Sequence, residues 1–145
     1  TYAMSELDIE KLLSALEDDN NTELLDLDMK KINIDKADIL SKLELPKTQY
    51  IDLLKKLKHY RYIDELPGMR YGSYIRWISI KDPEKLKLTT GGIVCEMKVG
   101  DNGIVVVCKN NFNRFFQFNM PETLIFQKLN EQELVLLSAL DYING

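Results

Sequence analysis

The stretch Ile93-Val94-Cys95-Glu96-Met97-Lys98-Val99-Gly100-Asp101-Asn102-Gly103-Ile104-Val105-Val106-Val107-Cys108-Lys109 decides the fold class. Two runs rich in β-branched residues flank a short polar segment bounded by glycines, which is the pattern of a β-hairpin. Two registers fit it. With Asp101 and Asn102 at the centre of the turn, Cys95 faces Cys108; with Asn102 and Gly103 there, Cys95 faces Asn110. Both registers place the two cysteines on the apolar face with Met97, Val99, Ile104 and Val106. Cys95 and Cys108 are therefore read as reduced core cysteines, with a redox pair as the alternative.

On either side of the hairpin the pattern stays short and strand-like. Tyr74–Ile80 is rich in β-branched and aromatic residues, and Asp82-Pro83 ends it. Lys85–Thr90 alternates, and Gly91-Gly92 permits a bend or bulge. Asn110–Asn113 is a turn, and Arg114–Met120 and Thr123–Leu129 are two more strands. In Tyr74–Ile80, Ile75 and Trp77 share one face and Tyr74, Arg76, Ile78 and Ile80 the other, which assigns Trp77 to a core.

Before this β-rich region the spacing is helical. Ser5 and Asp8 form an acidic capping pattern for a helix over Glu6–Glu17, and Asp18–Asn21 ends it. Thr22–Ile34 fits either a short helix or an irregular segment. Asp35 is the expected N-cap of a helix carrying Ala37, Ile39, Leu40 and Leu43. Pro46 interrupts it, and a second helix over Thr48–Leu57 carries the stripe Tyr50, Ile51, Leu53, Leu54 and Leu57. Tyr60–Ile63 is a short aromatic strand, and Pro67-Gly68 a turn. After the strands, Asn130 and Glu133 make a capping box for a last helix whose buried face is Leu134, Leu137, Ala139, Leu140 and Ile143.

The expected fold is therefore α+β. N-terminal helices of helix-turn-helix or winged-helix-like order (1–66) pack on a small antiparallel five- or six-stranded barrel-like sheet with a C-terminal helix (67–145). One integrated domain is the alternative division.

Composition limits the function classes. The chain has 145 residues, 45% hydrophobic and 29% charged, enough apolar material for a core. It contains no apolar run near the ~18 residues that cross a bilayer, so no membrane partner is expected. Two cysteines and an N-terminus unlike a secretory signal suggest an intracellular, reducing setting. A single histidine, His59, leaves no histidine-based metal cluster. The glycine pairs lack the lysine and spacing of a phosphate loop, and no nucleophile elbow occurs. The reading is a non-enzymatic protein without cofactor, metal or evident small-molecule substrate.

Charge is uneven. Residues 1–28 hold nine acids against one base, Lys11, a net of −8 that leaves +4 on the remainder. Such a head is a partner-binding arm, a mask over a basic surface, or the solvated face of a helix. Within the basic body, the order helix, tight turn, helix, strand and turn matches a helix-turn-helix followed by a wing. The second helix and the residues flanking it would present Lys47, Gln49, Lys55, Lys56, Lys58, His59 and Arg61, with Arg70 and Arg76 further on among aromatics, as phosphate and base contacts for DNA or RNA. Against this, lysines in a last helical turn are favoured by the helix dipole alone, and the net charge of −4 is unlike that of dedicated DNA binders. The alternative is a structural or adaptor protein that binds a protein partner, or a second copy, through its sheet or its acidic helix.

Four segments, Gly72-Ser73-Tyr74-Ile75-Arg76-Trp77-Ile78, Gly91-Gly92-Ile93, Cys108-Lys109-Asn110 and Ile125-Phe126-Gln127-Lys128-Leu129, resemble those of a small uncharacterised protein of large nucleocytoplasmic DNA viruses. The similarity runs from about Tyr60 onward. It implies a virion component or a factor acting on viral DNA or transcription, placed in the host cytoplasm, the nucleus or the virion.

Overall fold

A computed structural model describes Asp28 to Asn144. The expected helix over Glu6–Glu17 and nearly all of the acidic head lie outside these residues. The chain runs through α1 (Met29–Ser41), α2 (Lys47–Lys56), β1 (Tyr60–Ile63), β2 (Tyr74–Ser79), β3 (Gly92–Gly100), β4 (Gly103–Lys109), β5 (Phe115–Asn119), β6 (Thr123–Lys128) and α3 (Glu131–Asn144), with single 3-10 turns at Leu66–Gly68 and Met120–Glu122. It is an α+β protein built on one six-stranded sheet, order β1-β6-β2-β3-β4-β5, and every pairing is antiparallel.

Helix α1 starts earlier than its sequence suggests. Asp28, not Asp35, is the N-cap, its carboxylate accepting from the Lys31 N–H at 2.7 Å. The buried stripe is Ile32, Lys36 and Leu40, one residue per turn. A lysine in the middle of that stripe hides the helix from a reading based on apolar spacing. Pro46 takes the N-cap position of α2, where its missing N–H costs nothing.

The sheet coils on itself. Adjacent strands lie about 4.8 Å apart, so a flat sheet would hold β2 and β5 roughly 14 Å apart. The rings of Trp77 on β2 and Phe118 on β5 nevertheless stack with centroids 4.9 Å apart. The hinge of this coil is the β2–β3 junction, where only Tyr74↔Ile93 and Ile75↔Gly92 pair. Gly91 makes it feasible. Its φ is +101, and a Cβ there would lie 2.5 Å from the Ile75 carbonyl oxygen. The expected strand over Lys85–Thr90 reduces to a strap, held by an Ile78↔Leu88 bridge and by Thr89 N–H donating to the Trp77 carbonyl.

One core fills the inside of the coil: Ile63, Met69, Ile75, Trp77, Val94, Val106, Cys108 and Ile125. The outer face of β1-β6-β2 buries Ile78, Leu124 and Phe126 against Leu40, Leu53 and Leu57 of the helical pair and the residue after it. Fully burying a side chain such as Phe126 stabilises by about 1.5–3 kcal/mol. Leu129, Leu136 and Leu137 join Ile32 in a third cluster between α3 and α1. Strand β1 thus belongs to the same sheet as the strands that follow, and the helical pair packs on that sheet. Trp77 is a core residue, as its face predicts, and the Asn130–Glu133 capping box forms reciprocally at 3.0 and 2.7 Å. Ile143, assigned to the buried face of α3, is exposed.

Two details depart from the expected architecture. Strand β1 pairs with β6, which separates it from β2, so the segment after α2 is not a hairpin wing. The edges β1 and β5 do not meet, so the sheet is open.

Candidate functional site

The residues expected to touch nucleic acid divide into two groups. Lys47, Gln49, Lys55, Lys56, Lys58 and His59 are exposed on α2 and the turn that follows it. Lys56 pairs with Asp52 at 2.9 Å, an exposed i,i+4 contact worth a few tenths of a kcal/mol. The arginines do not join this surface. Arg61 is 8% exposed, its Nη2 donating to the Gly68 carbonyl at 3.1 Å. Arg70 is held by Glu133 at 2.8 Å. Arg76 donates from Nε to the Thr89 carbonyl at 2.8 Å and ties the strap down. Strand alternation explains Arg61: it shares the inner face with Ile63, and polar partners at the end of the core receive it.

Those partners form a buried polar network around Gln127, which is 1% exposed. Its Oε1 accepts from the Arg70 N–H at 2.9 Å and the Ser73 hydroxyl at 2.8 Å, and its Nε2 donates to the Gly68 carbonyl at 2.9 Å. An open cleft of about 520 Å³ lies over this network between Arg70–Tyr74 and Lys128–Glu131. Among the described residues no group of three or more His, Cys, Asp or Glu could hold a metal ion, and no helix is long and apolar enough to cross a membrane.

The two cysteines are not a facing pair. Gly100↔Gly103 pairing sets Asp101-Asn102 as the turn, the register that would oppose them. A β-bulge between Val94 and Glu96 then shifts the ladder by one residue, and Val94 stands opposite Cys108. Cys95 is exposed and Cys108 buried, both as free thiols. Burial, with the nearby Cys95, pushes the Cys108 thiol up to about 11. Val99, expected on the apolar face, is exposed near the hairpin tip.

The most unusual surface is one that the sequence reading did not single out. Strand β5 is a sheet edge, yet it carries Phe115 at 66% and Phe116 at 44% exposure, with Phe112 at 84% in the preceding turn. Natural edge strands are normally short, charged or covered. The opposite edge, β1, follows that rule: Arg61 and Ile63 are buried, and Lys36 caps the Tyr60 carbonyl at 3.0 Å.

Hydrogen bonding fixes which groups of β5 are open. The Asn110 N–H donates to the Arg114 carbonyl, so Arg114, Phe116 and Phe118 point their backbone groups at β4. Phe115 and Gln117 point theirs away from the sheet. On the side-chain level, Lys109 Nζ lies 5.9 Å from the centre of the Phe115 ring, a cation–π contact on the outer face. On the inner face Phe116 lies 6.3 Å from Trp77. Between them and the strap is a cleft of about 420 Å³, floored by Trp77 and lined by Lys87, Leu88, Asn110 and Phe116. The signal was present in the sequence, as Phe112, Phe115, Phe116 and Phe118 within seven residues. Only the strand order shows that they lie on an edge.

Comparison of the chain with protein-family models, with curated proteins and with solved structures finds no match.

Proposed function

We propose that this protein is a non-enzymatic protein-binding module that captures an extended segment of a partner along β5. The observation that carries this reading is the exposed aromatic edge, with the backbone N–H and C=O groups of Phe115 and Gln117 directed outward. Strand addition at such an edge draws affinity from main-chain bonds and specificity from pockets for alternate side chains. Exposed phenylalanines on both faces of one strand supply the apolar anchors that hot spots require.

The test uses Gln117→Pro. Proline removes the outward N–H without breaking a bond to β4, and edge strands tolerate it there. Extended peptides selected from a random displayed library on the wild-type protein should lose binding to Q117P, while its melting temperature stays near that of the wild type. No enrichment of extended peptides, or binding indifferent to Q117P, refutes strand addition.

A second reading keeps nucleic acid as the ligand, on the exposed face of α2. The exposure of Lys47, Lys55, Lys58 and His59 on α2 and the turn after it supports it. Affinity for duplex DNA should then fall steeply between two salt concentrations, and Lys55→Ala with Lys58→Ala should flatten that slope. Absence of binding at low salt removes this reading.

A further inference from the structure

Resting on the strand-addition reading, we infer that the partner segment is acidic and delivers one bulky apolar side chain into the Trp77 cleft.

Charge along the edge is one-sided. Residues 102–121, which span β4, its turn and β5, contain no acid, whereas Lys109 and Arg114 lie within them. The strap adds Lys87 at the cleft. None of these three bases is in an ion pair within the described residues. Asn110 contributes a further donor. Its Oδ1 accepts from the N–H groups of Phe112 and Arg114 at 2.9 and 3.0 Å, and its amide NH₂ has no protein acceptor among the described residues at the cleft that Asn110 lines. The rim of the site therefore presents donors and positive charge, and an incoming carboxylate meets no like charge there.

The pleat of the sheet positions the anchor. A strand added beside β5 places alternate side chains on the inner face, next to Phe116 and Phe118. Phe116 is itself a wall of the cleft, and Trp77 is its floor. An inward side chain of the partner at that level enters a space walled by Trp77, Leu88 and Phe116. The intervening side chains project outward near Lys109 and Phe115, where glutamate or aspartate gains a cation.

A second copy of this chain fits less well. Pairing β5 with β5 would double Lys109 and Arg114 along an edge that holds no acid to oppose them.

Trp77 is the only tryptophan, so its emission reports occupancy of the cleft directly. The probes are two synthetic peptides of alternating valine and glutamate, or valine and lysine, each with one central phenylalanine. The glutamate peptide should bind roughly tenfold or more tightly at low salt, shift Trp77 emission to the blue, and lose that preference in Lys87→Ala/Arg114→Ala. Equal binding of the two peptides, or binding of the glutamate peptide with unchanged Trp77 emission, overturns the inference. So does a concentration-dependent dimer in light scattering that Q117P abolishes, because it assigns the edge to a second copy. If both probes fail while library-derived strands bind in a Q117P-sensitive way, the acidic partner is wrong and strand addition stands. If binding of every peptide ignores Q117P, strand addition itself is wrong.

Discussion

The ammonium of Lys36 lies 2.7 Å from the carbonyl oxygen of Leu57, the residue that closes α2. The same nitrogen donates to the carbonyl of Tyr60 at 3.0 Å. One side chain from α1 thus satisfies the end of α2 and the start of β1, and it fixes the helical pair to the sheet.

Replacing Lys36 by methionine keeps the stem and removes the donors. The carbonyls of Leu57 and Tyr60 then lose their charged partner in a site that is 3% exposed. The expected loss is about 2–4 kcal/mol, read as a lower urea midpoint with an unchanged slope. A stability equal to wild type would remove Lys36 from its anchoring role.

Gln127 should be comparably sensitive. Gln127→Leu preserves volume but leaves the half-buried Arg70 N–H without its acceptor, while the Gly68 carbonyl keeps only its bond from Arg61. Each unsatisfied buried group costs about 1–3 kcal/mol. Gln127→Glu keeps an acceptor and removes the donor to Gly68, so it should fall between wild type and Q127L near neutral pH.

The bulge predicts unequal thiols. Cys95 is exposed and should react with a thiol reagent at pH 8 within the mixing time of a conventional assay. Cys108, buried and with its thiol pushed up to about 11, should react only on unfolding. One fast equivalent in the wild type and none in Cys95→Ala is the expected count, and two fast equivalents would contradict the register.

Alkaline stability carries signs that can be separated. Cys108 is raised from 9.0 to about 11, so the folded chain binds the proton that the unfolded chain releases, and its contribution is lost as pH rises through that window. Burial also raises Tyr60 and Tyr62, which act in the same direction above pH 10. Burial lowers Lys36 from 10.5, so its own contribution moves the opposite way, relieving a penalty as pH rises toward 10.5. Cys108→Ala should therefore flatten the fall in stability between pH 9 and 11, and Lys36→Met should steepen it.

Gly91 should tolerate no side chain. Gly91→Ala combines a φ of +101 with a Cβ 2.5 Å from the Ile75 carbonyl oxygen, and these atoms are backbone that cannot swing aside. A loss of at least about 2 kcal/mol is expected. Gly72→Ala, with a positive φ but open space around it, should cost less.

The sequence alone determined the elements that depend on local chemistry. The Asp101-Asn102 turn was one of two registers it allowed, while the capping box at Asn130 and Glu133, the break at Pro46 and the inward face of Trp77 follow from residues a few positions apart. The α+β class and the antiparallel strands follow from periodicity in the same way. Tertiary structure decided whatever depends on a partner distant in sequence. Lys36 lies in a helix stripe because Leu57 and Tyr60 receive its charge, and Arg61 leaves the surface because Gly68 does. One extra residue at Cys95 separates two cysteines that a regular ladder would oppose, because side-chain direction in a strand alternates and any insertion resets it. The aromatic run at Phe112–Phe118 reads as core in any strand. It becomes a candidate binding edge only because β6 inserts between β1 and β2 and leaves β5 as the last strand, its outward backbone groups without a neighbour in the sheet.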